Sequence, residues 1–280
     1  MRRRDVLAGA AGAVAWRPAQ RPPKHLQNAF GKLFIILGLL TVSIPMYAQP
    51  LTRIPRLCFL TFDKGTPQSP SRRFEPFFKR LQELGYLHGQ TITIDYLSTE
   101  GRLEGFPALA AECLRLKADI IAVTTTPGAI AAKSATQTIP IIMLPLGDPI
   151  GTGLVNSIAR PEGNLTGMTT MAPELAPRRL ELLKNAIPSI SRVLVLSYPT
   201  DPIAVLQVKS LEAAAPSLGL TLQIGDIQSA DDLSAAFDAA ARGRANGLLA
   251  TSASIFNVNR ARVTELAAKY KLPAMYAYSI

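Results

Sequence analysis

Four places in this 280-residue chain combine polar side chains with turns in a way that could grip a small molecule. The first is Asp148, in the turn Gly147-Asp148-Pro149 that ends the apolar run of residues 139–146. A run without polar alternation reads as a fully buried strand. Asp148 then stands at a strand's carboxyl end, where open α/β sheets bind ligands. A carboxylate there can accept a charge-assisted hydrogen bond from a substrate ammonium. The second place is Thr124-Thr125-Thr126-Pro127, with Thr126 the expected N-cap of a helix and Pro127 its first residue. The third is Tyr198-Pro199-Thr200-Asp201-Pro202, where Asp201 can cap, and the fourth is the hydroxyl-rich Thr251-Ser252-Ala253-Ser254. Helix starts carry free N–H groups and a partial positive charge, and can hold a carboxylate or another small polar group. Each motif alone is also ordinary capping, worth about 1 kcal/mol. Their recurrence in both halves of the chain, at edges that would face one another, points to a shared cleft.

Catalytic signatures are missing. The sequence contains no GxxxxGK[ST] loop, GxSxG elbow, HExxH pair or Cys-His arrangement. Gly151-Thr152-Gly153 begins a dinucleotide-like pattern, but Asn156 occupies the third glycine's place and no strand-turn-helix surrounds it. His25 and His88 have no partners near in sequence, and Cys58 and Cys113 read as core thiols with a spacing unlike any metal motif. No metal or cofactor is expected. Asn164-Leu165-Thr166 matches a glycosylation sequon but is better placed in an interlobe crossover.

The elements that must position these residues alternate strictly. Strands are expected at residues 57–62, 91–96, 119–123 and 139–146, separated by helices at 72–84, 103–116 and 127–135. After the Gly- and Pro-broken segment 147–167 the order resumes. Helices are expected at 175–186, 203–218, 231–241 and 257–269, with strands at 193–197, 220–224, 247–250 and 273–276. Such alternation means parallel sheets covered by helices on both faces through right-handed crossovers. The fold class is therefore α/β, with two doubly wound lobes: residues 51–160, and 161–280.

Charge separates the first fifty residues from the rest. The whole chain carries a formal +10, yet residues 1–50 hold seven Lys/Arg against one acid, leaving 23 basic and 19 acidic residues beyond. That remainder lacks a basic stripe interleaved with aromatics, so no nucleic-acid partner is expected. Lys32 precedes the apolar stretch LFIILGLLTVSIPMYA, which reads as a cleaved export signal ending near Ala48, with a membrane anchor as the alternative. Arg2-Arg3-Arg4-Asp5 also looks like a loose twin-arginine signal. The expected location is periplasmic or extracytoplasmic.

The chain resembles the extracytoplasmic substrate-binding proteins of ABC transporters, in particular the tryptophan/tyrosine-binding TrpX type. The resemblance runs from FEPFFKRLQELGYLHGQ through the IP strand, DP turn, GLV and NLTG of residues 139–167, then ELAPRRLELLKNAIPSISRVLVL and ELAAKYKLPAMYAYS. It implies a type I periplasmic-binding-protein fold, two lobes joined by a hinge with the ligand between them. It further implies a cleft lined by Phe62, Asp63, Thr66, Thr125, Thr126, Asp148, Tyr198, Thr200 and Ser252. The first of these loops departs from the family's small polar pattern at Thr61-Phe62-Asp63-Lys64. Family members continue past the strand matching residues 273–276, which gives the expectation of a second lobe shortened at its C-terminus. The implied function is capture of a small organic solute, such as an amino acid, by a monomeric carrier that delivers it to a membrane permease. A periplasmic sensor domain and a Rossmann-like enzyme are the rival readings.

Overall fold

The computed structural model describes residues 53–161 and 163–278; the expected export segment lies outside them. The first sheet is built from β1 (Arg56–Thr61), β2 (Thr93–Ser98), β3 (Ile120–Val123), β4 (Ile141–Leu146) and β5 (Leu165–Thr169). All neighbours are parallel, in the order β2-β1-β3-β4-β5. Its helices are α1 (Glu75–Glu83), α2 (Phe106–Arg115) and α3 (Thr126–Ala135). The second sheet has β6 (Arg192–Ser197), β7 (Thr221–Asp226), β8 (Gly247–Ala250) and β9 (Ala274–Met275), again parallel and in the matching order β7-β6-β8-β9. Helices α4 (Ala172–Ala186), α5 (Pro202–Ala214), α6 (Asp232–Arg242), α7 (Ser254–Val258) and α8 (Arg260–Lys269) accompany it.

Alternate residues of each strand face opposite sides of the sheet, and the cores follow that period. Leu57 and Phe59 of β1 pack with Phe74 and Phe78 of the α1 region, while Cys58 and Leu60 pack with Phe106, Ala110 and Cys113 on the other face. Phe59 is the hub of the first of these cores, with ring centres 4.9 Å from Phe78, 5.1 Å from Tyr96 and 5.2 Å from Phe74. Such ring pairs add about 0.5–1.5 kcal/mol each beyond area burial. In the second lobe Val193 and Val195 face one core, and Leu194 and Leu196 the other. Helices therefore cover both faces of both sheets, as the alternation of elements requires.

Cys58 and Cys113 are free and fully buried. The neighbouring Cys58 thiol, with burial, pushes the Cys113 thiol well up, and both cysteines lie in the core.

Two differences from the sequence reading bear on the site. Residues 165–169 form a fifth strand of the first sheet, so that sheet extends past the expected lobe boundary at 160/161. Only Leu165 of that strand is buried, which hid it behind the look of a crossover. The long helix expected at 203–218 ends at Ala214 and is followed by a separate single turn, Pro216–Leu218. The chain passes from the first lobe to the second around Met171, whose left-handed backbone (φ 48°) directly precedes α4.

Asn164 supplies the brace that the NLTG motif needs. Its side-chain amide donates to the carbonyls of Thr136 (3.1 Å) and Ile139 (2.8 Å), clamping the loop before β4 onto β5. Gly167 pairs with Met143, and a Cβ at residue 167 would lie 2.2 Å from the Met143 carbonyl oxygen. Thr169 completes the clamp by donating its hydroxyl to the Gly147 carbonyl.

Candidate functional site

In both sheets the strand order reverses beside the central strand, between β1 and β3 and between β6 and β8. A doubly wound sheet opens a crevice at the carboxyl ends of the strands flanking that point. The structure turns these two edges toward one another. Thr124, Thr125, Thr126, Pro145 and Gly147 of the first lobe share a narrow gap with Asp201, Ile203, Ser252 and Ser254 of the second. The lobes lie close at Gly147, where a Cβ would meet Ile203 side-chain atoms at 2.4–2.7 Å. Glycine there lets the end of β4 lie directly on the start of α5.

Helix α3 is capped one residue earlier than Thr126. Thr125 has extended backbone, and its hydroxyl accepts from the Gly128 N–H at 3.1 Å, while its carbonyl takes the Ala129 N–H. Asp201 caps α5 as expected, accepting from the Ile203 N–H at 3.0 Å. These caps change what the helix starts can offer. Proline at 127 and 202 has no N–H, and the caps consume the amides of Gly128 and Ile203. The Ala204 amide is spent on the Asp201 carbonyl. The Thr126 N–H is left for a ligand at α3, and the first three residues of α5 leave none. Side chains must therefore supply most of the grip.

Several side chains are free to do so. Thr126 and Ser254 are 4% and 7% exposed, and among the described residues their hydroxyls have no protein partner. Ser252 accepts a 2.7 Å hydrogen bond from the Gln207 amide, which leaves its own proton to donate. Gln207 is fully buried, and its carbonyl accepts from Arg179 (2.8 Å) and from the Ser252 N–H (3.1 Å). Arg179 also donates to the Ala250 carbonyl at the end of β8, and burial holds its guanidinium below the ordinary arginine range. This network fixes Ser252. Neither Arg179 nor Gln207 carries a local motif, so sequence reasoning missed both.

Asp201 is 7% exposed, and burial pushes its carboxyl up to about 6, partly opposed by the Ile203 amide. Among the described residues it is the one acid lining the gap.

The remaining expected residues do other work. Asp148 folds its carboxylate back on its own turn, accepting from the amides of Ile150 (3.0 Å) and Gly151 (2.9 Å). That is the behaviour of an Asx turn, and Asp148 is not among the residues lining the gap. Phe62 is 1% exposed and belongs to the core. Asp63 is buried and accepts from the Ser71 hydroxyl at 2.9 Å; exposed Thr66 accepts from the Ser69 amide at 3.0 Å. Together they brace the loop that leads from β1 to α1. Tyr198 is buried, with its phenol pushed up by desolvation, and Thr200 beside it is exposed.

A larger cavity of about 470 Å³ opens beside this gap, sharing Arg73 and Tyr278 with it. Arg72 and Arg73 contribute from the first lobe; Thr251, Phe256, Asn257, Arg260 and Tyr276 are among the residues from the second. The structure makes the cleft from both lobes.

Comparison with known proteins agrees with this architecture. The family model for ABC transporter substrate binding proteins matches residues 70–278. A tyrosine-binding protein of Clostridioides difficile (strain R20291) is 33% identical over 135 residues, which is 48% of this chain and 39% of that relative's length. A Streptococcus pneumonia ABC domain solved in complex with L-Trp superposes with a TM-score of 0.70 at 22% identity, over 81% of this chain and 75% of its own. A conserved domain protein of Vibrio cholerae gives a TM-score of 0.73 with the same identity and coverage. The fold is that of type I periplasmic-binding proteins. Among the described residues no helix is long and apolar enough to cross a membrane.

Proposed function

We propose, from the premise that this chain belongs to the family of ABC transporter substrate binding proteins, that it is an extracytoplasmic, non-catalytic carrier of a small organic solute. The solute enters between the lobes, and the second lobe closes over it by bending near Met171. The loaded form then docks on a membrane permease. One observation carries the reading: two hydroxyls without a protein partner among the described residues, Thr126 of the first lobe and Ser254 of the second, line the same gap. A molecule bridging the two can hydrogen-bond to both. Relatives named for tyrosine or solved with L-Trp make small acids with a ring the first candidates.

Thermal denaturation against a panel of amino acids and organic acids tests this. A ligand at about 100 times its dissociation constant adds about 2.7 kcal/mol of stability. At least one compound should shift the transition by that scale, and Thr126→Val should abolish the shift. A shift that survives Thr126→Val together with Ser254→Ala would place the ligand elsewhere.

A further inference from the structure

The cleft's cavity has a one-sided chemistry. Its charged lining groups are Arg72, Arg73 and Arg260, with no aspartate or glutamate among them. Among the described residues none of the three makes an ion pair, although several other arginines on the surface do. The one buried polar atom of the lining without a partner, Asn257 Nδ2, is also a donor. The Arg73 guanidinium carbon is held 5.0 Å from the Phe74 ring centre and 5.6 Å from that of Tyr278, between a first-lobe and a second-lobe aromatic.

These positions are not explained by the fold. Arg72 and Arg73 precede α1, where the helix dipole disfavours a cation, and Arg260 stands between the end of α7 and the start of α8. Resting on the cleft reading above, we infer that the solute is an anion: a planar, ring-bearing carboxylate without an ammonium group. Its carboxylate is met by Arg73 and Arg260 and by the Asn257 amide, since guanidinium forks match carboxylates. Its ring lies against Phe256 and Tyr276 of the cavity wall. An ammonium group would face guanidiniums in this cavity. Asp148, the acid expected to receive it, turns one carboxylate oxygen onto its own turn, and neither it nor Asp201 lines this cavity.

Benzoate, benzamide and L-phenylalanine separate these terms, since benzamide keeps the shape without the charge and L-phenylalanine adds an ammonium. In calorimetric titrations at low ionic strength, benzoate should bind about 10-fold or more tightly than benzamide, and more tightly than L-phenylalanine. Arg73→Gln and Arg260→Gln should each weaken benzoate by about 10-fold while leaving benzamide unchanged. Arg115→Gln, far from the cavity in an i,i+3 pair with Glu112, should change neither. Preference for benzamide or L-phenylalanine, or full benzoate affinity in the arginine variants, would overturn the inference. If Thr126→Val still abolished binding of the preferred probe, the cleft reading would survive that failure. No binding of benzoate at millimolar concentration would also overturn the anionic assignment, leaving the cleft itself to be judged by the wider panel.

Discussion

Asp201→Asn is expected to stabilise the folded chain by roughly 3 kcal/mol at pH 8 and to change little at pH 4. The carboxyl ionises near 3.8 in the unfolded chain and at about 6 in the fold, because burial penalises its charge. Between those values the folded state holds more protons than the unfolded state. Stability is therefore fullest below pH 4, falls as pH rises through that window, and stays level above it. Asparagine keeps the cap on Ile203, since Asn and Asp serve equally at that position. Urea unfolding of both chains from pH 4 to pH 8 should give curves that meet at the acid end and diverge above. Parallel curves would mean that the Asp201 carboxylate is solvated.

Gly167→Ala is expected to cost at least about 3 kcal/mol, measured as the loss of urea midpoint at unchanged slope. The residue has φ 145°, a conformation that side chains rarely adopt. The added methyl would also press on the Met143 backbone, with oxygen at 2.2 Å and nitrogen at 2.7 Å. Backbone in the middle of a sheet cannot swing aside as a side chain can. Relief comes only by parting β5 from β4, which would loosen the clamp of Thr169 on Gly147 and so the cleft floor. A loss under 1 kcal/mol would show that the two strands are not in this close register.

Much of the scaffold is legible in the sequence, for identifiable reasons. Apolar runs without alternation mark buried parallel strands such as β3 and β4, and Asp201-Pro202 marks the start of α5. The aromatic spacing of Phe74, Phe77 and Phe78 marks the buried face of α1. β5 escaped because an edge strand with one buried residue lacks the pattern that a buried strand shows. The N-cap at Thr125 was displaced by one residue because three consecutive threonines offer the same chemistry, and only backbone geometry selects among them.

The site divides along the same line. Thr125, Thr126, Asp201, Ser252 and Ser254 could be seen because capping motifs at strand ends are local. For Asp148, an Asp-Pro turn that bonds to its own amides and a ligand-binding strand end look identical in sequence until the amides of Ile150 and Gly151 are placed. Arg73 is far in sequence from Asn257 and Arg260, and no local motif joins the three. One signal was available: Arg72 and Arg73, just before α1, oppose its dipole. Gln207, buried in α5, could have been flagged only as a polar residue on an apolar face.

The most direct measurement is backbone hydrogen exchange with and without the solute that shifts the melting transition. Closure of two lobes on a shared ligand predicts slower exchange at residues 124–129 of the first lobe together with residues 201–207 and 251–256 of the second, at the same solute concentration. Protection confined to one lobe, or appearing only away from these segments, would contradict a binding site between them.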